Sequence, residues 1–213
     1  MMNKYIDHTG LKHDSNIVKL CAEANKYKFR AVCVHPDRVR TAYEMVAKAI
    51  KVVAVVGFPF GQNLKSSKIH EALMAQSNGA SEVDVVLNIC DLKRGKYLTI
   101  VKELTTIVAA IDIPVKVIVE ECFFTLEQLQ YAYKIVKDSG AFCIKTSTGL
   151  HGGATLYTVA LWKSLGDLKI KASGGIKLKW QAEDFIKEGA DIIGTSAGVA
   201  ICSSYSQSGV LLN

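Results

Sequence analysis

Lys145 and Lys171 each end a strongly apolar run and precede a turn of small residues, in AFCIKTSTG (residues 141–149) and IKASGG (residues 170–175). Lysine is rarely buried without a reason. On successive strands of one sheet the two amines would be neighbours, and a buried amine beside a second cation gives up its proton more readily. A neutral lysine attacks carbonyls, the first requirement of Schiff-base chemistry. Bringing a lysine from about 10.4 to about 7 takes roughly 4–5 kcal/mol. A second ammonium about 5 Å away supplies roughly 3 kcal/mol at an effective dielectric near 20, and partial desolvation the remainder. Either lysine alone reads as a strand-end residue with its head in solvent. The pair, with matching turns, reads as chemistry.

Asp84 strengthens that reading. It lies within Glu82-Val83-Asp84-Val85-Val86, and a carboxylate flanked by valines in a covered strand needs a partner. If it stays charged, it must sit nearer Lys171, or nearer a substrate hydroxyl, than the reactive nitrogen of Lys145. A phosphate site is the second signal. Ser173-Gly174-Gly175 and Gly194-Thr195-Ser196-Ala197-Gly198 follow the last two apolar strands, the second leading into a helix-like tail. Backbone amides at such turns suit phosphate.

These residues need a scaffold of alternating elements. Strands are expected at 4–8, 31–35, 52–56, 82–87, 115–119, 142–146, 170–173 and 191–195, from short apolar runs. Amphipathic stretches at 15–27, 37–49, 64–77, 97–110, 126–139, 155–165 and 178–188 read as helices, with a further one at 197–205. Gly79, Gly140 and Gly189 sit where a left-handed helix stop is expected. Eight strands alternating with helices point to parallel pairing and a closed α/β (β/α)8 TIM barrel, with active-site groups at the C-terminal strand ends. An open doubly wound sheet is the alternative, but neither G-x-G-x-x-G nor a P-loop occurs. No linker or composition shift divides residues 1–213, so one domain is expected.

The 49% hydrophobic content supports a packed core, and three prolines with 22% charged residues argue against disorder. The N-terminus MMNKYIDHTG lacks the apolar segment of a secretory signal, and the run 52–60 is too short to span a bilayer. A cytoplasmic protein with no membrane partner is expected. Six cysteines show no C-x-x-C pair and read as reduced, mostly buried thiols; His70-Glu71 lacks a second histidine, so no metal is expected. The net charge of +6 is dispersed, which argues against nucleic acid and fits attraction of anionic metabolites.

The chain resembles the deoxyribose-phosphate aldolase family. The resemblance is carried by Ile6-Asp7-His8-Thr9, Ala31-Val32-Cys33-Val34, Val55-Val56-Gly57-Phe58-Pro59, Glu82 to Val86, Val117-Ile118-Val119-Glu120, Lys145-Thr146-Ser147-Thr148-Gly149, Lys171 to Ile176 and Gly194-Thr195-Ser196. It implies a (β/α)8 barrel without metal or organic cofactor that reversibly cleaves 2-deoxy-D-ribose 5-phosphate to acetaldehyde and D-glyceraldehyde 3-phosphate. By motif position, Lys145 is the Schiff-base lysine, Lys171 the second lysine, and Asp84 the acid/base residue, acting through an ordered water. Gly174, Gly175 and Ser196 hold the phosphate; Asp7 and Thr148 line the sugar site, with Gly149 beside them. A homo-oligomer, dimer or larger, is implied. His35, Glu121, Ala197 and a shortened loop 148–153 depart from the family pattern, and Tyr205 is a candidate for a C-terminal tyrosine near the site. Rival readings are a Schiff-base barrel lyase for another sugar phosphate, and a non-catalytic phosphate- or nucleic-acid-binding protein.

Overall fold

The computed structural model describes residues 1–203, so Tyr205 and the end of the expected last helix lie outside the described residues. Eight parallel strands close into a barrel in chain order: β1 (Ile6–Thr9), β2 (Ala31–Val34), β3 (Lys51–Val56), β4 (Glu82–Val86), β5 (Val115–Ile118), β6 (Cys143–Lys145), β7 (Lys169–Ser173) and β8 (Ile192–Thr195). The helices are α1 (Ile17–Tyr27), α2 (Val39–Met45), α3 (Lys65–Ser77), α4 (Ile89–Lys93), α5 (Tyr97–Ala110), α6 (Leu126–Asp138), α7 (Leu156–Leu165), α8 (Lys179–Glu188) and α9 (Gly198–Ser203). The closed α/β (β/α)8 TIM barrel expected from the strand–helix alternation is the fold, and the open sheet is excluded.

Alternation along the strands sorts side chains into two environments. Val32, Val34, Val52, Ala54 and Val56 pack with the helix layer in the main apolar core. Ala31, Cys33, Val53 and Val55 form a separate small cluster with Leu11 and Phe58. On β1, β4, β5, β6 and β7 the residues in step with that inner cluster are Asp7, Glu82, Asp84, Lys116, Lys145 and Lys171. All six are buried. The interior is therefore apolar along β2 and β3, charged along β1 and β4 to β7, and uncharged along β8, where Ile192 and Gly194 are in step.

Several boundaries differ from the sequence expectation. Residues 2–5 form a 3-10 turn and β1 begins only at Ile6. The helix expected at 37–49 is a 3-10 turn at Pro36–Arg38 followed by a helix ending at Met45, because Pro36 fixes the backbone where a longer helix would start. The five-residue α4 is too short to show a helical period. Asn16, Thr125 and Thr155 cap α1, α6 and α7 from outside the helices, each accepting from the backbone amide three residues on. Gly79, Gly140 and Gly189 adopt φ of 101°, 77° and 115° just beyond helix ends. All six cysteines are free, but only Cys21, Cys33 and Cys143 are buried, and Cys122 is exposed. Among the described residues no helix is long and apolar enough to cross a membrane.

Candidate active site

The register places Lys145 directly beside Lys171 across the β6–β7 pair. Lys145 is 3% exposed, and Lys171 and Asp84 are fully buried. Both ammonium groups reach the same oxygen: Asp84 Oδ2 accepts from Lys145 Nζ at 2.9 Å and from Lys171 Nζ at 2.8 Å. Asp84 was expected nearer Lys171, or nearer a substrate hydroxyl, than Lys145; its distances to the two lysines are nearly equal, because Lys116 Nζ donates to Asp84 Oδ1 at 2.8 Å and leaves one oxygen for both.

Lys116 extends the cluster. Its Nζ also lies 2.7 Å from Glu82 Oε2. Glu82 in turn is held by Arg30 at 2.6 Å and by Lys51 at 2.6 Å. Arg30 reaches Asp7 Oδ1 at 2.6 Å, and Asp7 Oδ2 accepts from Lys171 at 2.6 Å. Asp7 is thus buried with both oxygens engaged, and its direct effect is on Lys171. Lys116 carried the same signal as Asp84, a charge between valines in Val115-Lys116-Val117, yet escaped the sequence reading. Arg30 precedes β2, off the alternating pattern, and gave no signal.

The protonation preferences follow from these contacts. Burial alone would raise Asp84, but Lys116, Lys145 and Lys171 outweigh it and hold the carboxyl well below its usual value. Burial also opposes the ionised forms of Asp7 and Glu82. The neighbouring cations prevail, lowering Asp7 and bringing Glu82 to about 2. Lys171 is driven well above its usual value: burial works against its charge, and Asp7 and Asp84 overcome that. Lys116 is raised in the same way, chiefly by Asp84 against burial. Depressed carboxyls stabilise the fold above their unfolded values of 3.8 and 4.5 and lose that contribution as pH falls through the folded ones. Raised lysines contribute fully below 10.5 and lose it as pH rises past their folded values.

The loops above these groups are built backbone against backbone. A Cβ at Gly174 would stand 2.9 Å from Gly152 O and 3.0 Å from Gly153 Cα, and φ is 92° there, so only glycine fits. A Cβ at Gly194 would strike Ser173 Oγ and come within 3.0 Å of Lys171 Cε, so this glycine makes room for the lysine stem. Thr146 Oγ1 donates to Ser173 O and accepts from Ser173 N–H, both at 3.0 Å, tying the ends of β6 and β7 together. Ser147 and Ser173 hydroxyls are buried beside the two lysine strands without a partner among the described residues. Ser173 was read from the sequence only as part of a phosphate turn, and Ser147 only as part of a family motif.

Thr148 is fixed by a residue whose role the sequence did not reveal. Glu120 adopts a left-handed φ of 62°, and its buried carboxylate accepts from the Thr148 amide at 3.2 Å and from the Thr148 hydroxyl. Gly149 is exposed, and Gly175 and Ser196 lie at the surface of the same end of the barrel. A cleft of about 250 Å³ runs beside Gly174 and Gly175, bounded by Trp180 and Phe185, and one of about 140 Å³ lies beside Ser196 and His8. Neither includes Lys145, Lys171 or Asp84 in its wall. The Ala197 amide, expected to serve phosphate, donates to Thr195 Oγ1 at 2.9 Å. His35 Nε2 bonds Leu11 O at 3.1 Å and its ring meets Phe58 edge-on.

Glu121 is buried at the start of the 3-10 turn between β5 and α6, and among the described residues neither carboxylate oxygen has a well-formed hydrogen bond. Burial pushes this carboxyl up to about 7, against partial relief from Thr158 and Thr155. A carboxyl raised in the folded state loses stability as pH climbs from its unfolded value of 4.5 to about 7, a penalty of order 3 kcal/mol when complete. Glu121→Gln is therefore expected to raise the melting temperature at pH 8 and to change it little at pH 5. Thermal melts at the two pH values check this.

A deoxyribose-phosphate aldolase of Thermoanaerobacter sp. (strain X514) is 44% identical to this chain over 215 residues, covering 96% of each. The chain belongs to the deoxyribose-phosphate aldolase family. Among solved structures, an aldolase named QR15 superposes with a TM-score of 0.91 at 40% identity, covering 94% of both chains. The tetrameric deoxyribose phosphate aldolase of Aeropyrum pernix superposes with a TM-score of 0.86 at 32% identity, covering 94% of this chain and 89% of that one. No protein-family model matches the chain.

Proposed function

We propose that this member of the deoxyribose-phosphate aldolase family cleaves 2-deoxy-D-ribose 5-phosphate reversibly to D-glyceraldehyde 3-phosphate and acetaldehyde through a Schiff base on Lys145. The observation that carries the reading is the pair of adjacent buried lysines, Lys145 and Lys171, sharing one oxygen of Asp84. Lys145 holds one partner, whereas Lys171 holds two carboxylates, so Lys145 is the amine that is released.

Neutral Lys145 adds to C1 of the open-chain sugar, and loss of water gives the iminium. Removal of the C3 hydroxyl proton breaks the C2–C3 bond, and the electron pair enters the iminium to form the enamine. Asp84, held ionised, is the acceptor end of the proton path, and Lys171, held protonated, is the donor end. Protonation of the enamine at C2 and hydrolysis release acetaldehyde and free the amine. Thr148, set by Glu120, lines the sugar path with Gly149. Gly174, Gly175 and Ser196 take the phosphate, as expected of turns after the seventh and eighth strands.

We further read residues 1–213 as one catalytic domain, acting without metal or organic cofactor in the cytoplasm as a homo-oligomer. The tetrameric Aeropyrum pernix relative and the absence of a membrane-crossing helix among the described residues support the last two points. The test is turnover. Incubation with 2-deoxy-D-ribose 5-phosphate should yield both products in equal amounts, unchanged by chelators. No turnover of this sugar, with turnover of another sugar phosphate, would overturn the substrate assignment.

A further inference from the structure

The ion pairs inside the barrel form a closed circuit: Asp7 to Arg30, Arg30 to Glu82, Glu82 to Lys116, Lys116 to Asp84, Asp84 to Lys171, and Lys171 back to Asp7. Three carboxylates alternate with three cations, so the circuit is neutral. Among the described residues, Lys145 stands outside it, attached only through Asp84 Oδ2. Lys51 also touches Glu82, but its side chain is half exposed, so solvent screens its charge. Arg30 is the member that closes the circuit. Its guanidinium, 15% exposed, joins β1 to β4 past β2 and β3, whose inner residues include the small Ala31 and Val53.

We propose that Arg30 is a positioning residue that keeps this circuit closed and neutral, so that Lys145 can exist as the free amine. The inference rests on Lys145 being the reactive lysine. Without Arg30 the circuit holds three negative and two positive groups, and the buried charge it lacks is the one a protonated Lys145 supplies. The groups facing this balance are Asp7 from β1, Cys33 from β2, Lys51 from β3, Glu82 and Asp84 from β4, Lys116 from β5, Cys143 from β6 and Lys171 from β7. Burial keeps both thiols protonated, Cys143 with a value of about 12, so neither replaces the missing charge.

The test is the rate at which acetaldehyde and cyanoborohydride alkylate Lys145, followed by peptide mass from pH 5 to 10. In Arg30→Leu the rate near pH 7 should fall about tenfold and approach the wild-type rate at the alkaline end, the acid limb having moved up by about one pH unit. Arg30→Lys should lie between the two. Glu82→Gln should move the limb to lower pH, and the double variant Arg30→Leu/Glu82→Gln, neutral again, should bring it back. A uniform loss at every pH, or a limb that stays in place, overturns the proposal and leaves Arg30 as packing. Should Arg30→Leu not fold, Glu82→Gln decides: a limb moved to lower pH supports the balance, and an unmoved one overturns it. Wild-type protein that is never labelled at Lys145 overturns the aldolase mechanism and this inference together, whereas failure of the inference alone leaves wild-type labelling intact.

Discussion

Lys145→Ala is expected to abolish aldol cleavage while leaving the barrel folded. In the proposed mechanism the substitution removes the group that carries the sugar as an imine, and with it the electron sink. Loss of a covalent nucleophile costs on the order of 10⁴-fold or more in turnover. Lys171 does not substitute for it, because Asp7 and Asp84 each hold its nitrogen within 2.8 Å and keep it protonated. The fold tolerates the change because Asp84 retains Lys116 and Lys171. The stability change should stay within about 1–2 kcal/mol. Measured turnover above about 1% of wild type, with a normal circular dichroism spectrum, would contradict the role given to Lys145.

Lys171→Leu has the second large effect, and it acts on stability and rate together. The variant leaves a fully buried Asp7 with Arg30 alone and Asp84 with Lys116 and Lys145. Removing one partner of a buried pair costs about 3–5 kcal/mol, and since each carboxylate keeps another cation the lower figure applies. For a chain of this size that is a drop of about 6–12 °C in melting temperature at neutral pH. Lys171 contributes its charge at every pH below its raised folded value, so the loss should persist from pH 5 to pH 9 and shrink only in strong alkali. Turnover should fall as well, by about 10²–10⁴-fold near neutral pH, since the proposed donor end of the proton path is gone. Asp84 then binds the Lys145 ammonium without competition, so the acid limb of the pH–rate profile should move to higher pH. An unchanged limb would show that Lys171 has no electrostatic hold on Lys145.

Much of this arrangement was legible in the sequence, for physical reasons. A carboxylate between valines on a covered strand is conspicuous, and that exposed Asp84; a lysine that ends an apolar run before a turn of small residues exposed Lys145 and Lys171. Register did the rest, since adjacent parallel strands of similar length place Lys145 opposite Lys171. Lys116, between Val115 and Val117, was equally visible and was passed over. Arg30 lies one residue before its strand, where period-two alternation carries no information, and only the three-dimensional circuit reveals it. Glu120 was hidden for another reason. Its hold on Thr148 depends on a left-handed backbone that glutamate rarely adopts. The start of β1 was misread because no glycine or proline separates Lys4-Tyr5 from Ile6, although Tyr5 ends a 3-10 turn and Ile6 begins the strand.

The most direct measurement is the mass of the intact protein after acetaldehyde and borohydride, followed by peptide mapping. A reduced imine adds about 28 Da. One adduct is expected, on Lys145, with Lys171, Lys116 and the exposed lysines untouched. Labelling scattered over surface lysines, or none at all, would mean that Lys145 is not an activated amine and would contradict the Schiff-base mechanism.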